Sequence, residues 1–201
     1  MSVNLQKGQK VDLRKSNKEE LKRVMVGLGW DEVSTGRKGF LSLFTQPQQD
    51  IDCDASAILC KNGKLEAFKT DVVFYNNLRH YTGSVEHQGD NLTGAGDGDD
   101  EQIFVNLGTL PAEYDRIVFV VTIYQARERN QHFGMINNAF IRICDAATGV
   151  EFCKFDLSEN YSGKTAMIVG ELLRSADGWK FNAIGQPTTD NGILDMAARF
   201  V

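Results

Sequence analysis

Short apolar runs separated by clusters of glycine, asparagine and aspartate recur along the chain, a rhythm that predicts strands and turns. The predicted strands are Val24–Leu28, Ala55–Leu59, Val72–Tyr75, Ile103–Leu107, Ile117–Tyr124, Ala139–Cys144, Glu151–Asp156, Ala166–Leu173 and Trp179–Ile184. Ile117-Val-Phe-Val-Val-Thr-Ile123 is apolar toward both faces, which predicts a central strand buried between two layers. Trp179, Phe181 and Ala183 alternate with Lys180 and Asn182, as in a strand with one wet face. Ala146-Ala-Thr-Gly149 and Ala176-Asp-Gly178 sit between strand runs and read as hairpin loops. Helical signal is scarce; Ile193-Leu-Asp-Met-Ala-Ala-Arg-Phe200 is long enough for about two turns at the end of the chain. No internal repeat or Pro-rich linker divides the chain, so residues 1–201 are expected to form one domain. The fold class predicted is all-β, a β-sandwich of two antiparallel sheets with few short helices.

Composition agrees with a soluble chain that needs neither disulfide nor structural metal for its core: 42% hydrophobic and 24% charged residues. The net charge of −5 and the lack of a Lys/Arg cluster argue against nucleic acid as a partner. The first residues lack an apolar segment of the signal-peptide kind, and the best apolar run, Ile117–Ile123, is strand length. A cytoplasmic protein that does not insert into membranes is therefore expected. Cys53, Cys60, Cys144 and Cys153 form no C-x-x-C pair and read as free thiols. Cys144 and Cys153 have the spacing to face each other across a hairpin, but buried small hydrophobes are the preferred reading.

Familiar catalytic patterns are absent. His80, His87 and His132 share no metal-ligand spacing and read as surface or loop residues, and there is no G-x-S-x-G elbow. Gly163-Lys164-Thr165 resembles the end of a P-loop, but Ser158 stands where its first glycine belongs and a strand follows instead of a helix.

The dense constellation is Gly89-Asp-Asn-Leu-Thr-Gly-Ala-Gly-Asp-Gly-Asp-Asp-Glu101, with carboxylates at Asp90, Asp97, Asp99, Asp100 and Glu101 and no base. Its glycines allow sharp turns that direct carbonyls inward, and a hard cation relieves the repulsion among its acids. A flexible set rich in carboxylates favours Ca²⁺ over Mg²⁺. A solvated Asp/Gly turn fits the run equally well when it is taken alone. Asp50, Asp52 and Asp54 add a second acidic element, spaced to share one side of an extended segment that leads into a core strand. Neither element fits an EF-hand. Counted from Asp50, the turn glycine falls on Ala55 and the bidentate glutamate on Lys61; counted from Asp97, the glycine falls on Gln102.

Several segments together resemble the TerD family of bacterial tellurite-resistance and general stress proteins. They are Leu5-Gln-Lys-Gly-Gln-Lys-Val-Asp-Leu13, Val26-Gly-Leu-Gly-Trp-Asp31, Asp52-Cys-Asp-Ala-Ser-Ala57, Phe74-Tyr-Asn-Asn-Leu78, Gly89-Asp-Asn-Leu-Thr-Gly94, Gly98-Asp-Asp-Glu101, Phe133-Gly134, Asn138-Ala-Phe-Ile-Arg142 and Gly170-Glu-Leu172. The resemblance implies a β-sandwich with long calcium-binding loops and two neighbouring Ca²⁺ sites. It also implies a cytoplasmic role in tellurite and general stress resistance with protein partners, among them a membrane-associated complex. The ligand set it implies is Asp31, Asp52, Asp54, Asn76, Asp90, Asn91, Asp97, Asp99, Asp100 and Glu101. The chain departs from the family pattern between Asp31 and Asp52, where Ile51 replaces the usual aromatic and Asp50 is added.

The expected function is thus a calcium-binding stress protein, not an enzyme, whose Ca²⁺-ordered loops mediate interactions. A metal-dependent hydrolase would need a base or nucleophile that no motif supplies. A Ca²⁺-bridged lipid or small-ligand binder rests on fold analogy. Tellurite, an anion, would be repelled by the acidic loop.

Overall fold

Each predicted strand is present in the computed structural model, which describes residues 2–15, 17–32, 51–89, 98–157, 159 and 161–201. One sheet has the order β1 (Val3–Asn4), β10 (Glu151–Asp156), β9 (Ile136–Asp145), β3 (Arg23–Glu32), β7 (Glu101–Asn106), β6 (Val85–His87). The other has the order β2 (Lys10–Asp12), β12 (Gly178–Thr188), β11 (Ala166–Ser175), β8 (Tyr114–Ile123), β4 (Cys53–Lys61), β5 (Val72–Val73). All pairings are antiparallel except β1 with β10, which is parallel. The short strands β1, β2 and β6 were not predicted, because two or three residues carry too little alternation to be read. The predicted Val72–Tyr75 strand shrinks to Val72–Val73, preceded by a one-turn helix, α1 (Phe68–Asp71).

Alternation divides the second sheet between two cores. Cys53, Ala55, Ala57 and Leu59 of β4, with Ile117, Phe119 and Val121 of β8, face the first sheet in the main hydrophobic cluster. Ile58 and Cys60, with Val118 and Val120, face outward into a second cluster closed by Ile193, Met196, Ala197 and Phe200. The closing residues come from α2 (Ile193–Ala197) and the 3-10 turn that follows it, Ala198–Phe200. The outer cover is latched by polar contacts: Arg199 forks onto Asp190 at 2.7 and 3.1 Å, and the Leu65 N–H donates to the Phe200 carbonyl. The continuous apolar run of β8 is thereby explained, since both its faces are covered.

All four cysteines are buried and free. Cys153 points into the main core, whereas Cys144 lies beside Arg142 on the opposite face of its sheet from Ile141 and Ile143, so the two thiols do not meet across the hairpin. Burial pushes the Cys60 thiol up to about 11 and that of Cys153 to about 12.

Two histidines expected at the surface are instead core residues: His80 is 1% exposed and His87 3%. Tyr114 donates to the buried Asp71 at 2.8 Å, and His80 Nε2 lies 3.4 Å from the same oxygen. The His80 pKa is lowered, first by burial and also by Lys61, against the opposing pull of Asp71. As pH falls below the ordinary imidazole value of 6.5, the unfolded chain takes up this proton before the folded one, so acidification costs stability. A His80→Gln variant should therefore lose unfolding midpoint less steeply than the parent between about pH 8 and pH 5. Denaturant titrations across that range check this, and parallel profiles would exclude His80 as the source.

Candidate metal centre

The C-terminal ends of β3 and β8 and the N-terminal ends of β4, β7 and β9 lie at one end of the sandwich, and the acids collect there. The segments β3 and β7 pair in register from Arg23↔Asn106 to Leu28↔Glu101, and the Asp100 N–H extends this ladder by donating to the Leu28 carbonyl at 2.8 Å. Asp100 Oδ2 accepts the Trp30 N–H at 2.7 Å. Its carboxyl pKa is raised, chiefly by burial and further by the neighbouring charges of Asp31 and Asp99, with the Trp30 N–H opposing.

Asp31 is exposed at the end of β3, and Asn138 Nδ2 donates to its Oδ2 at 2.7 Å. Asn138 has a left-handed backbone (φ 53°) within a bulge, where Asn138 and Ala139 together oppose Trp30. The bulge turns the asparagine toward the acid.

Asp99 is engaged elsewhere. Gln102, Gly27 and Arg142 are in register across β7, β3 and β9, on the outer face of their sheet. The Asp99 carboxylate folds back over Gly27, accepting from Arg142 Nε at 2.7 Å, Arg142 Nη2 at 2.9 Å and Gln102 Nε2 at 3.2 Å. A methyl at residue 27 would sit 2.4 Å from that carboxylate, so the missing side chain forms its socket.

Glu101 faces inward and is 1% exposed. β5 covers β4 only at Ala57 and Ile58, which leaves the edge of Ala55 without a strand partner. Two side chains of the opposite sheet complete that edge. Glu101 Oε2 accepts the Ala55 N–H, and His87 Nε2 donates to the Ala55 carbonyl at 3.2 Å. His87 Nδ1 accepts the Gly89 N–H at 3.1 Å, which puts the ring proton on Nε2, 3.5 Å from Glu101.

Asp52 precedes β4, and its carbonyl accepts the Tyr124 N–H at 2.8 Å. Asp54 is buried opposite Thr122 and borders an outward cleft of about 220 Å³ with Tyr75, Tyr124 and Glu128. Asn76 is exposed in the turn after β5, which runs toward the Asp54 end of β4. Asp90, Asn91 and Asp97, with Asp50, lie outside the described residues. Among the described residues, no three acidic, histidine or cysteine side chains form a complete metal cage. The donors gathered here are carboxylate and amide oxygens, the chemistry of a hard cation.

Three residues central to this geometry were given no role at the site from the sequence: Arg142 and Asn138, which delimit a family-like segment, and His87, read as a surface or loop residue. Arg142 carried a signal, since alternation sets it apart from Ile141 and Ile143; the roles of the other two depend on a bulge and on a truncated strand.

The fold and this end define a class: β-sandwiches that bring carboxylates from widely separated segments to one edge. The chain belongs to the TerD family, whose domain matches residues 1–200. It is 46% identical over 201 residues to the stress response protein SCP2 of Bacillus subtilis, covering all of both chains. It is 47% identical to the tellurium resistance protein TerD of Serratia marcescens, covering 100% of this chain and 97% of that one. Among solved structures, a homologue of the telluride resistance protein from Streptomyces coelicolor shares the fold, with a TM-score of 0.62 at 23% identity over 87% of this chain and 94% of that one.

Gly27→Ala should destabilise the protein by about 1–3 kcal/mol, because the new methyl collides with the Asp99–Arg142 fork. Gly108→Ala, whose methyl would meet its nearest neighbour at 3.6 Å, should be close to neutral by the same chemical denaturation. Equal effects from the two substitutions would contradict the socket.

Proposed function

We propose that this chain binds Ca²⁺ at its acidic end and serves stress and tellurium resistance in the cytoplasm as a binding protein, its loops ordered by the ion to engage protein partners. The crowding around Asp100 carries this reading: burial raises its proton affinity first, and the neighbouring charges of Asp31 and Asp99 add to it. A divalent cation at that edge would offset the repulsion. Asp31 and Asp100 on the first sheet and Asp52 and Asp54 on the second are the described acids that would contribute ligands, divided between two neighbouring ions, with Asp90, Asn91, Asp97 and Asn76 as further candidates. Asp99 and Glu101 support from behind, since one is forked by Arg142 and the other ties the two sheets together.

The same geometry disfavours a hydrolase. His87 has a fully buried side chain with both nitrogens engaged, so it is not placed to activate a water, and His132, half-buried just before β9, uses its Nδ1 to accept the Gly134 N–H at 3.1 Å. Reductive chemistry on tellurite by thiolate is disfavoured as well, because burial holds the Cys60 and Cys153 thiols protonated.

Calorimetric titration tests the reading. Ca²⁺ should bind saturably and raise the thermal midpoint, with Mg²⁺ weaker, and Asp54→Asn should weaken Ca²⁺ binding by about tenfold or more. Absence of both heat and stabilisation at millimolar Ca²⁺ would refute it.

A further inference from the structure

The end of the sandwich away from the acids has a different chemistry. There the start of β3, the ends of β7 and β9 and the β11–β12 hairpin frame an open cleft of about 1210 Å³. Arg174 lines it, half-buried, its guanidinium 4.5 Å from the centre of the Trp179 ring. Nε donates to the Tyr114 carbonyl at 3.0 Å, and Nη2 donates to those of Leu110 and Pro111 at 2.9 and 3.2 Å. Nη1 has no protein acceptor among the described residues, and no carboxylate there lies within ion-pair distance of the group. A guanidinium does not deprotonate in a protein, so its charge persists, held by carbonyl dipoles and an aromatic face with two N–H donors unspent.

The remaining charges of the cleft leave a small positive excess. Asp145 is matched by Lys15 at 2.8 Å, and Glu20 by Arg14 at 3.4 Å from beside the cleft. Lys22 and Arg23 are exposed at the rim and meet no carboxylate among the described residues; Arg23 lies over the Phe104 ring at 4.7 Å. Among the lining residues four bases, Lys15, Lys22, Arg23 and Arg174, stand against three acids, Glu19, Glu20 and Asp145, with Asp115 also acting on Arg174 from behind, in a chain whose net charge is −5. A fixed guanidinium with parallel donors recognises an oxyanion, and unpaired bases at the rim add to its attraction for anions.

We propose that this cleft binds the oxyanion group, carboxylate or phosphate, of a small molecule, with Arg174 Nη1 as the principal donor and Lys22 and Arg23 at the rim. The inference is independent of the calcium reading and uses none of its residues.

The test is a titration followed by ¹⁵N-correlated NMR in EDTA at constant ionic strength, with inorganic phosphate in one arm, succinate in a second and chloride as control. Saturable shifts of the Arg174 Nε and Trp179 Nε1 signals and of the Leu107–Thr109 amides are expected with phosphate, succinate or both; the responding arm identifies the oxyanion. Arg174→Lys should abolish the shifts of Trp179 Nε1 and of the Leu107–Thr109 amides. Because that substitution also removes three carbonyl contacts, the double variant Lys22→Gln/Arg23→Gln, altered only at exposed positions, provides a second reading and should weaken binding several-fold. No saturable shift in either arm, or binding unchanged in the double variant, would overturn the proposal.

Discussion

The organisation of the acidic end follows from one requirement: a buried backbone edge must find hydrogen-bond partners. β5 stops after covering Ala57 and Ile58, and the N–H and carbonyl of Ala55 are then satisfied by Glu101 and His87 from the other sheet. A buried carboxylate and an imidazole serve as a substitute strand. Their grip fixes how the two sheets meet at this edge, and thereby where Asp52 and Asp54 stand relative to Asp100. Without it, carboxylates on opposite sheets would have only the main core, some distance away, to set their spacing.

Three consecutive acids show how environment divides labour among residues that are chemically alike. Asp99 is neutralised by a guanidinium fork over a glycine socket. Glu101 is buried as a tie between sheets. Asp100 sits between these two anchored neighbours with its backbone in the β3 ladder and its proton affinity raised. Charge density in the sequence marks the region, whereas the partners decide what each acid does there.

Much of the fold was legible because strands with two-residue alternation or continuous apolar runs report their burial directly. The run at Ile117–Ile123 and the alternation at Trp179–Ala183 both correspond to what the sheets need. What escaped had a physical reason. β1, β2 and β6 are too short to show a period, and the histidines look polar while their burial depends on partners outside their own local segment, Asp71 nine residues from His80 and Ala55 on the other sheet from His87. At the site, the acids were legible as a cluster. The Gln102–Gly27–Arg142 row that holds Asp99 depends on the register of three strands, which local pattern does not encode.

The acidic edge and the opposite cleft are joined by one strand, β8. β8 starts at Tyr114, whose carbonyl receives Arg174, and ends at Ile123 beside the acids; ten residues at strand pitch span roughly 30 Å. Its neighbours are long strands, and both its faces are packed, inward against the main core and outward under the C-terminal cover. Communication over such a distance requires an element with two comparably stable arrangements. A strand hydrogen-bonded on both edges and buried on both faces offers one. On this geometry β8 offers no two-state element through which a change at the acidic edge would reach the opposite cleft.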